Sequence, residues 1–92
     1  MDDRWTWDPI KAERNLAKHR VSFELAALVF QDPMQLTFDD PERSEMRFRT
    51  LGSVGGAVLV VAHTCPTETE PGRIISARRA TPRERRMYHE KP

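Results

Sequence analysis

The 92-residue sequence predicts an α+β fold, with two N-terminal helices packed on an antiparallel sheet of three or four strands and a helix at the C-terminus. Apolar residues recur at helical spacing over 23–30, which indicates an amphipathic helix. After Pro33 the apolar residues alternate with polar ones, and the unbroken apolar run 57–62 is typical of a central strand covered on both faces. We expect the helices to cover one face of the sheet and to leave the other open.

Each predicted helix has a start signal. Asp8-Pro9 supplies an N-cap and a first helical residue for a helix that extends to His19. Ser22 is the N-cap expected for the second helix, which Asp32-Pro33 ends. The segment Thr81-Pro82-Arg83-Glu84 matches a capping box, so a basic terminal helix is expected from there to about Tyr88.

The strand predictions follow from alternation and from turn residues. Trp5–Trp7 is a candidate first strand, and 34–38 is a second candidate. Alternation over 45–51 predicts a strand with one buried and one charged face, followed by a turn at 53–56. Arg73–Arg79 alternates again and predicts the last strand.

Size and composition predict one domain, residues 1–92. Cys65 is the only cysteine, so an intrachain disulfide and a Cys-rich zinc site are excluded. No apolar run approaches the ~20 residues that a bilayer requires, and Met-Asp-Asp-Arg at the N-terminus lacks the apolar core of a signal peptide. We therefore expect a cytoplasmic protein that does not contact membranes.

The net charge of +1 conceals two segments of opposite charge. The segment 32–45 holds five acidic residues and one Arg, a net charge of −4, whereas 73–92 holds six Arg, one Lys and two Glu, a net charge of +5. Arg outnumbers Lys by 12 to 3, which favours a phosphate-bearing ligand because guanidinium groups bind phosphate in bidentate fashion. A GC-rich genome explains the same excess equally well.

An arginine cluster is the strongest functional signal. Arg73, Arg78 and Arg79 lie on the last predicted strand, and Arg83, Arg85 and Arg86 lie on the helix that follows. Clustered guanidinium groups at a strand end bind phosphodiesters or stabilise charge on a reacting phosphate. A solvated basic face and a surface for an acidic protein partner are the structural alternatives.

Two histidines are candidates for proton transfer. His19 follows Lys18 at the end of the first helix, where cations also interact favourably with the helix dipole. His63 ends the apolar strand, a position that suits either a general base or a core residue. The carboxylates of Asp39-Asp40-Pro41-Glu42 are adjacent in a turn, so a solvated loop is expected there and not a metal site.

Six segments together resemble the BrnT toxin family, and the resemblance covers residues 5 to about 88. They are Trp7-Asp8-Pro9 with Lys11, Asn15, Lys18 and His19; Val21-Ser22-Phe23-Glu24 with Ala26; Asp32-Pro33; Glu45 with Arg47-Phe48; Val60-Val61-Ala62-His63-Thr64; and Arg73 to Thr81. Their order and spacing are more specific than any one of them. Arg20 departs from the family pattern, which usually has Gly there, and a residue other than Gly costs about 1 kcal/mol at positive φ.

The resemblance implies a RelE-like fold and a ribonuclease that inhibits translation. It also implies a BrnA-like antitoxin with a ribbon-helix-helix region, a heterotetrameric complex, and contact with operator DNA only through that antitoxin. RNA is then the substrate, and we expect cleavage without a metal ion or other cofactor. A non-catalytic nucleic-acid-binding regulator and a protein-interaction module remain alternative functions for the same arginine-rich surface.

The predicted site combines the resemblance with these residue types. Arg78 and Arg79 would hold the phosphate with Arg47 assisting, and His19 or His63 would act as the base. The candidate catalytic residues are Lys18, His19, Arg47, His63, Arg78 and Arg79, and the candidate RNA-binding residues are Arg49, Arg73, Arg83 and Arg86.

Overall fold

The secondary structure follows the predicted order. A computed structural model describes residues 4–40 and 46–90, so the N-terminal segment 1–3, Pro41-Glu42 of the acidic turn and Glu45 lie outside the described residues. The elements are β1 (Trp5–Thr6), α1 (Pro9–His19), α2 (Phe23–Ala27), a 3₁₀ helix (Leu28–Gln31), β2 (Leu36–Asp39), β3 (Phe48–Val54), β4 (Ala57–His63), β5 (Gly72–Arg79) and α3 (Pro82–Glu90).

The predicted helix caps are confirmed. The side chain of Asp8 accepts a hydrogen bond from the Ile10 N–H at 2.8 Å, and the Ser22 hydroxyl accepts one from the Leu25 N–H at 3.0 Å. At α3 the Thr81 hydroxyl accepts from the Glu84 N–H while the Glu84 carboxylate accepts from the Thr81 N–H, which is a reciprocal capping box. The three signals therefore fix where the helices begin.

The sheet has five strands in the order β1-β5-β4-β3-β2. Strands β2 to β5 pair antiparallel, whereas β1 pairs parallel to β5 through Trp5 opposite Gly72 and Thr6 opposite Arg73. The α+β class is confirmed, but the expectation of a wholly antiparallel sheet of three or four strands is wrong. The candidate first strand at Trp5–Trp7 is confirmed over Trp5–Thr6, but local alternation cannot reveal that it pairs parallel to a strand 67 residues further along the chain.

The larger apolar core lies on the face of the sheet that α1, α2 and the 3₁₀ helix cover, called the first face here. Its buried members come from both helices and strands, and Gly52 lets the 3₁₀ helix approach β3 because a Cβ there would lie 2.6 Å from a Val29 methyl group. The core residues are Val21, Phe23, Ala26, Val29, Leu59, Val61, Ile74 and Ala77.

The second face of the sheet carries a smaller core and is partly covered by α3. Tyr88 packs there with Leu51, Val58, Val60 and Ala80. The prediction of an open second face is therefore wrong, because α3 folds back as soon as β5 ends and buries the Tyr88 ring. The Tyr88 hydroxyl donates a hydrogen bond to Asp32, which raises the pKa of Tyr88 to about 12.

Asn15 joins α1 to the outer edge of β5. Its side-chain amide donates to the carbonyl oxygens of Val21 at 2.9 Å and Ala77 at 2.8 Å, and its side-chain oxygen accepts from the Ala77 N–H at 3.1 Å. Since β1 pairs only with Gly72 and Arg73, Asn15 takes the place of a strand neighbour at Ala77. These bonds hold the last turns of α1 against β5.

Candidate nucleic-acid interface

A groove of about 590 Å³ runs across the second face between β2–β3 and α3. Leu51 and Val60 are buried in its floor, and Phe38 and Met87 are exposed apolar residues along it. The remaining lining residues are Asp39, Arg49, Thr81, Arg83 and Glu84. An apolar floor between guanidinium groups suits a polymer that presents both bases and phosphates.

Arg49 and Phe38 share one rung of the sheet, because they lie directly opposite each other on β3 and β2. Successive strand residues point to opposite faces, so the Asp39 side chain points away from the groove. The Arg49 Nε is buried and has no hydrogen-bond partner among residues 4–40 and 46–90. A buried donor without a partner gains more from an incoming anion than a solvated donor does.

Arg78 also lies on the groove side of β5, opposite Val60. Its guanidinium group forms a bidentate ion pair with Glu84, with N···O distances of 2.7 and 3.0 Å. The hydrogen bonds from Arg78 lower the pKa of Glu84 to about 2, and the Glu84 carboxylate raises the pKa of Arg78. Arg78 is therefore fixed in direction and joined to the start of α3.

Arg79 lies on the first face, because it pairs with Leu59 of the larger core. The sequence grouped Arg78 with Arg79, but as neighbours on one strand they point to opposite faces of the sheet. On this face α1 advances along β5 in the direction of the strand, since β1 pairs at Gly72 and Asn15 binds at Ala77. Lys18 and His19, in the last turn of α1, therefore lie toward the Arg79 end of β5.

The structure buries His63 on the first face. Its Nε2 lies 2.7 Å from the Thr50 hydroxyl and its Nδ1 lies 2.8 Å from the Thr64 carbonyl oxygen. Burial lowers the pKa of His63, against the opposing effect of the Thr64 carbonyl. His63 is thus a neutral core histidine near pH 7, whereas His19 is partly exposed.

The remaining predicted site residues lie at or beyond the margins of the groove and of the Arg79 end of β5. Arg86 lies one turn after Arg83 on α3, so the two share one side of that helix. Arg47 immediately precedes β3 on the approach to Arg49, and its carbonyl oxygen accepts from the Asp40 N–H. Arg73 lies at the other end of β5 from Arg78 and Arg79.

A larger hollow of about 640 Å³ lies beside the loop 66–71. It is lined by Arg4 together with Glu68, Glu70 and uncharged loop residues. Two carboxylates against one guanidinium group repel a polyanion, so volume alone does not identify the interface.

Sequence reasoning assigned no role to three residues that shape this region. Phe38 is an exposed aromatic residue in the groove, Glu84 holds Arg78, and Asn15 positions α1 on β5. The capping box had indicated Glu84, but only as a helix signal. Asn15 belonged to the family motif, yet its spacing alone does not reveal a partner 62 residues further along the chain.

The fold and the arginines on both faces of one strand end define a small α+β protein suited to binding a phosphate-bearing polymer. A family model described as the ribonuclease toxin, BrnT, of type II toxin-antitoxin systems matches residues 7–84. The chain belongs to this family, as the sequence motifs indicated. No curated protein matches it.

Within residues 4–40 and 46–90, no group of three or more His, Cys, Asp or Glu side chains is arranged to hold a metal ion. In the same part of the chain, no helix has the length and apolarity needed to cross a membrane.

Proposed function

We propose that this chain cleaves RNA without a metal ion and thereby inhibits translation in the cytoplasm. The observation that carries the proposal is the arginine arrangement around the end of β5, in a chain of a ribonuclease toxin family. Arg49 and Arg83 face the groove, and neither forms an ion pair within the described residues. Both are available to bind phosphates, which dominate the affinity of proteins for nucleic acids.

In the proposed complex, RNA lies along the groove and crosses the outer edge of β5 at the Arg79 end of that strand. Asn15 of α1 binds this edge at Ala77, and beyond Ala77 no described strand pairs with it, so the backbone of RNA can pass from one face to the other at the Arg79 end. The exposed Phe38 ring offers a stacking surface for a base. Arg78, held by Glu84, marks the crossing point on the groove side.

The proposed reaction takes place on the first face, at Arg79. A base removes the proton of the RNA 2′-OH, whose oxygen attacks the adjacent phosphorus while the bond to the 5′-oxygen breaks and that oxygen takes up a proton. Arg79 and Lys18 stabilise the charge that develops on the phosphate oxygens. The products are a 2′,3′-cyclic phosphate and a 5′-hydroxyl.

We assign the base to His19 and not to His63. His19 is partly exposed and lies on the face of Arg79, whereas both ring nitrogens of His63 are within hydrogen-bond distance of buried groups. An imidazole with access to substrate suits proton transfer near pH 7.

The test separates binding from chemistry. The double variant Arg49→Ala, Arg83→Ala should weaken RNA binding. It should also reduce the slope of the logarithm of affinity against the logarithm of salt concentration by the amount expected for roughly two phosphate contacts. Arg79→Ala and His19→Ala should each lower the cleavage rate about 10²-fold with little change in affinity. Arg14→Ala, an exposed α1 residue assigned no role, is the matched control. Wild-type rates in both the Arg79 and His19 variants would remove the proposed reaction centre.

A type II toxin requires an antitoxin partner, and we propose a BrnA-like protein with a ribbon-helix-helix region. It would form a heterotetramer with the toxin and supply all contact with operator DNA. We propose that an acidic segment of this antitoxin folds over the groove and α3, where Arg83, Arg85 and Arg86 follow β5. Masking the arginines would prevent RNA from binding.

Charge attraction predicts that association is fast and slows as the salt concentration rises. Changing Arg83, Arg85 and Arg86 to Ala should lower the association rate constant and flatten this salt dependence, measured by stopped-flow mixing with the antitoxin. An unchanged rate in the triple variant would exclude steering by α3. A complex that leaves the groove open would exclude direct masking.

A further inference from the structure

A second cavity, of about 290 Å³, opens on the first face, near the Gly72 end of β5 and away from Arg79. Trp5 and Phe30 form its wall, and their rings stack with centroids 3.8 Å apart at an interplanar angle of 13°. His63 meets both rings edge-on, at 5.1 and 4.8 Å. The volume is close to the lower limit of small-molecule pockets, about 300 Å³, and suits one planar ring system.

A chain of hydrogen bonds lies at the base of this cavity. The Thr64 carbonyl can only accept, so the His63 Nδ1 carries the proton and donates to it. In the neutral ring the Nε2 then accepts, and the Thr50 hydroxyl donates to it at 2.7 Å. The Thr50 oxygen in turn accepts from the Thr37 hydroxyl at 2.8 Å. The Thr37 hydroxyl proton is thereby used in the hydrogen bond to Thr50, and the Thr37 hydroxyl oxygen faces the cavity as an acceptor.

Gln35 adds a second acceptor to the same cavity. Its side-chain amide nitrogen donates to the carbonyl oxygens of Phe30 at 3.0 Å and Asp32 at 3.1 Å. Both amide protons are thus in use, and the side-chain carbonyl oxygen is left to accept. Two acceptors beside an aromatic wall match a planar ring that carries N–H donors at its edge.

We propose that this cavity binds one unstacked RNA base, which lies against the Trp5–Phe30 pair and donates from its edge to Thr37 and Gln35. Arg4 at the rim adds a positive charge beside the phosphate of that nucleotide. His63 acts as a positioning residue, because it fixes the direction of the Thr50 and Thr37 hydroxyls. The choice of RNA as ligand rests on the proposed function, whereas the recognition of a base does not require cleavage.

The experiment uses the full chain with Trp7→Phe, which leaves Trp5 as the only tryptophan. Titration with adenosine 5′-monophosphate should quench Trp5 fluorescence to saturation. Thr37→Val should weaken this binding about 3- to 10-fold, the cost of one hydrogen bond, while Thr37→Ser retains it. The N6,N6-dimethyl form of the nucleotide lacks the amino donor for both acceptors, so it should bind more weakly than adenosine 5′-monophosphate to the chain with Thr37. The loss should be smaller with Thr37→Val, where only the hydrogen bond to Gln35 remains to be lost.

Thr69→Val, in the exposed loop, is the matched control, and thermal melts verify that each variant folds. If none of the four nucleoside monophosphates quenches Trp5 to saturation, the proposal is overturned. Equal quenching by ribose 5-phosphate, or binding unchanged in Thr37→Val, also overturns it. Saturable binding in a chain that cleaves no RNA would support this pocket while contradicting the proposed enzyme activity, so the two failures are distinguishable.

Discussion

Replacing Asn15 should destabilise the fold more than any exposed substitution in α1. In Asn15→Ala the Val21 carbonyl, the Ala77 carbonyl and the Ala77 N–H all lose their side-chain partner at a buried site. A buried polar group without a partner costs about 1–3 kcal/mol, and we expect a total near 3 kcal/mol because water enters the small space that the shorter side chain leaves. A chain of this length has a free energy of unfolding of roughly 5–14 kcal/mol, so the loss is a large share of it.

Thermal denaturation followed by circular dichroism measures this loss. A change of about 3 kcal/mol lowers the melting temperature of a domain this small by roughly 12–24 °C. Asn15→Asp is the sharper variant. It keeps the size of the side chain and the acceptor for the Ala77 N–H, but it replaces the donating nitrogen by an oxygen that faces the carbonyl oxygens of Val21 and Ala77. Gln31→Ala, at an exposed position, serves as the control. If Asn15→Asp melts within a few degrees of the wild type, Asn15 does not join α1 to β5.

Three further predictions concern stability. Arg20 ends α1 with φ of 62°, so Arg20→Gly should raise the free energy of unfolding by about 1 kcal/mol in chemical denaturation, and a loss would contradict the strain assigned there. Because its pKa is lowered in the folded chain, ionised Glu84 stabilises the fold above about pH 4.5, and this stabilisation is lost as the pH falls toward 2. Glu84→Gln should therefore lower the free energy of unfolding by about 1–2 kcal/mol at pH 7, a value reduced because Arg78 is partly exposed. The free energies of unfolding of the variant and the wild type should converge near pH 2. A Cβ at Gly72 would lie 2.5 Å from the Trp5 ring, so Gly72→Ala should cost about 1–3 kcal/mol and shift Trp5 fluorescence, whereas an unshifted spectrum would place Trp5 elsewhere.

Local signals in the sequence predicted local structure well. Asp8, Ser22 and the Thr81–Glu84 capping box each indicated a helix start that the structure confirms, because a cap depends on residues two or three positions apart. The positive φ at Arg20 followed from the Gly that the family has at that position. The apolar run 57–62 identified β4, the strand at the centre of the sheet.

Features that depend on distant residues were not predictable in the same way. The parallel pairing of β1 with β5 and the packing of α3 on the second face depend on contacts between distant parts of the chain. Burial decided the state of His63, and no spacing indicated that Thr50 and Thr64 would enclose it. Arg78 and Arg79 formed one cluster in the sequence, but strand alternation divides them between the two faces, which led us to separate RNA binding from chemistry.

The central claim is metal-independent cleavage through the RNA 2′-OH at the Arg79 end of β5. The most direct measurement compares cleavage of one RNA oligonucleotide with cleavage of the same oligonucleotide carrying a single 2′-deoxy substitution at the cut site, both in excess EDTA. We predict undiminished cleavage of the RNA, a 2′,3′-cyclic phosphate end, no cleavage at the 2′-deoxy site, and a rate about 10²-fold lower for Arg79→Ala than for Arg14→Ala. Activity that EDTA abolishes and Mg²⁺ restores, or cleavage at the 2′-deoxy site, would contradict the claim.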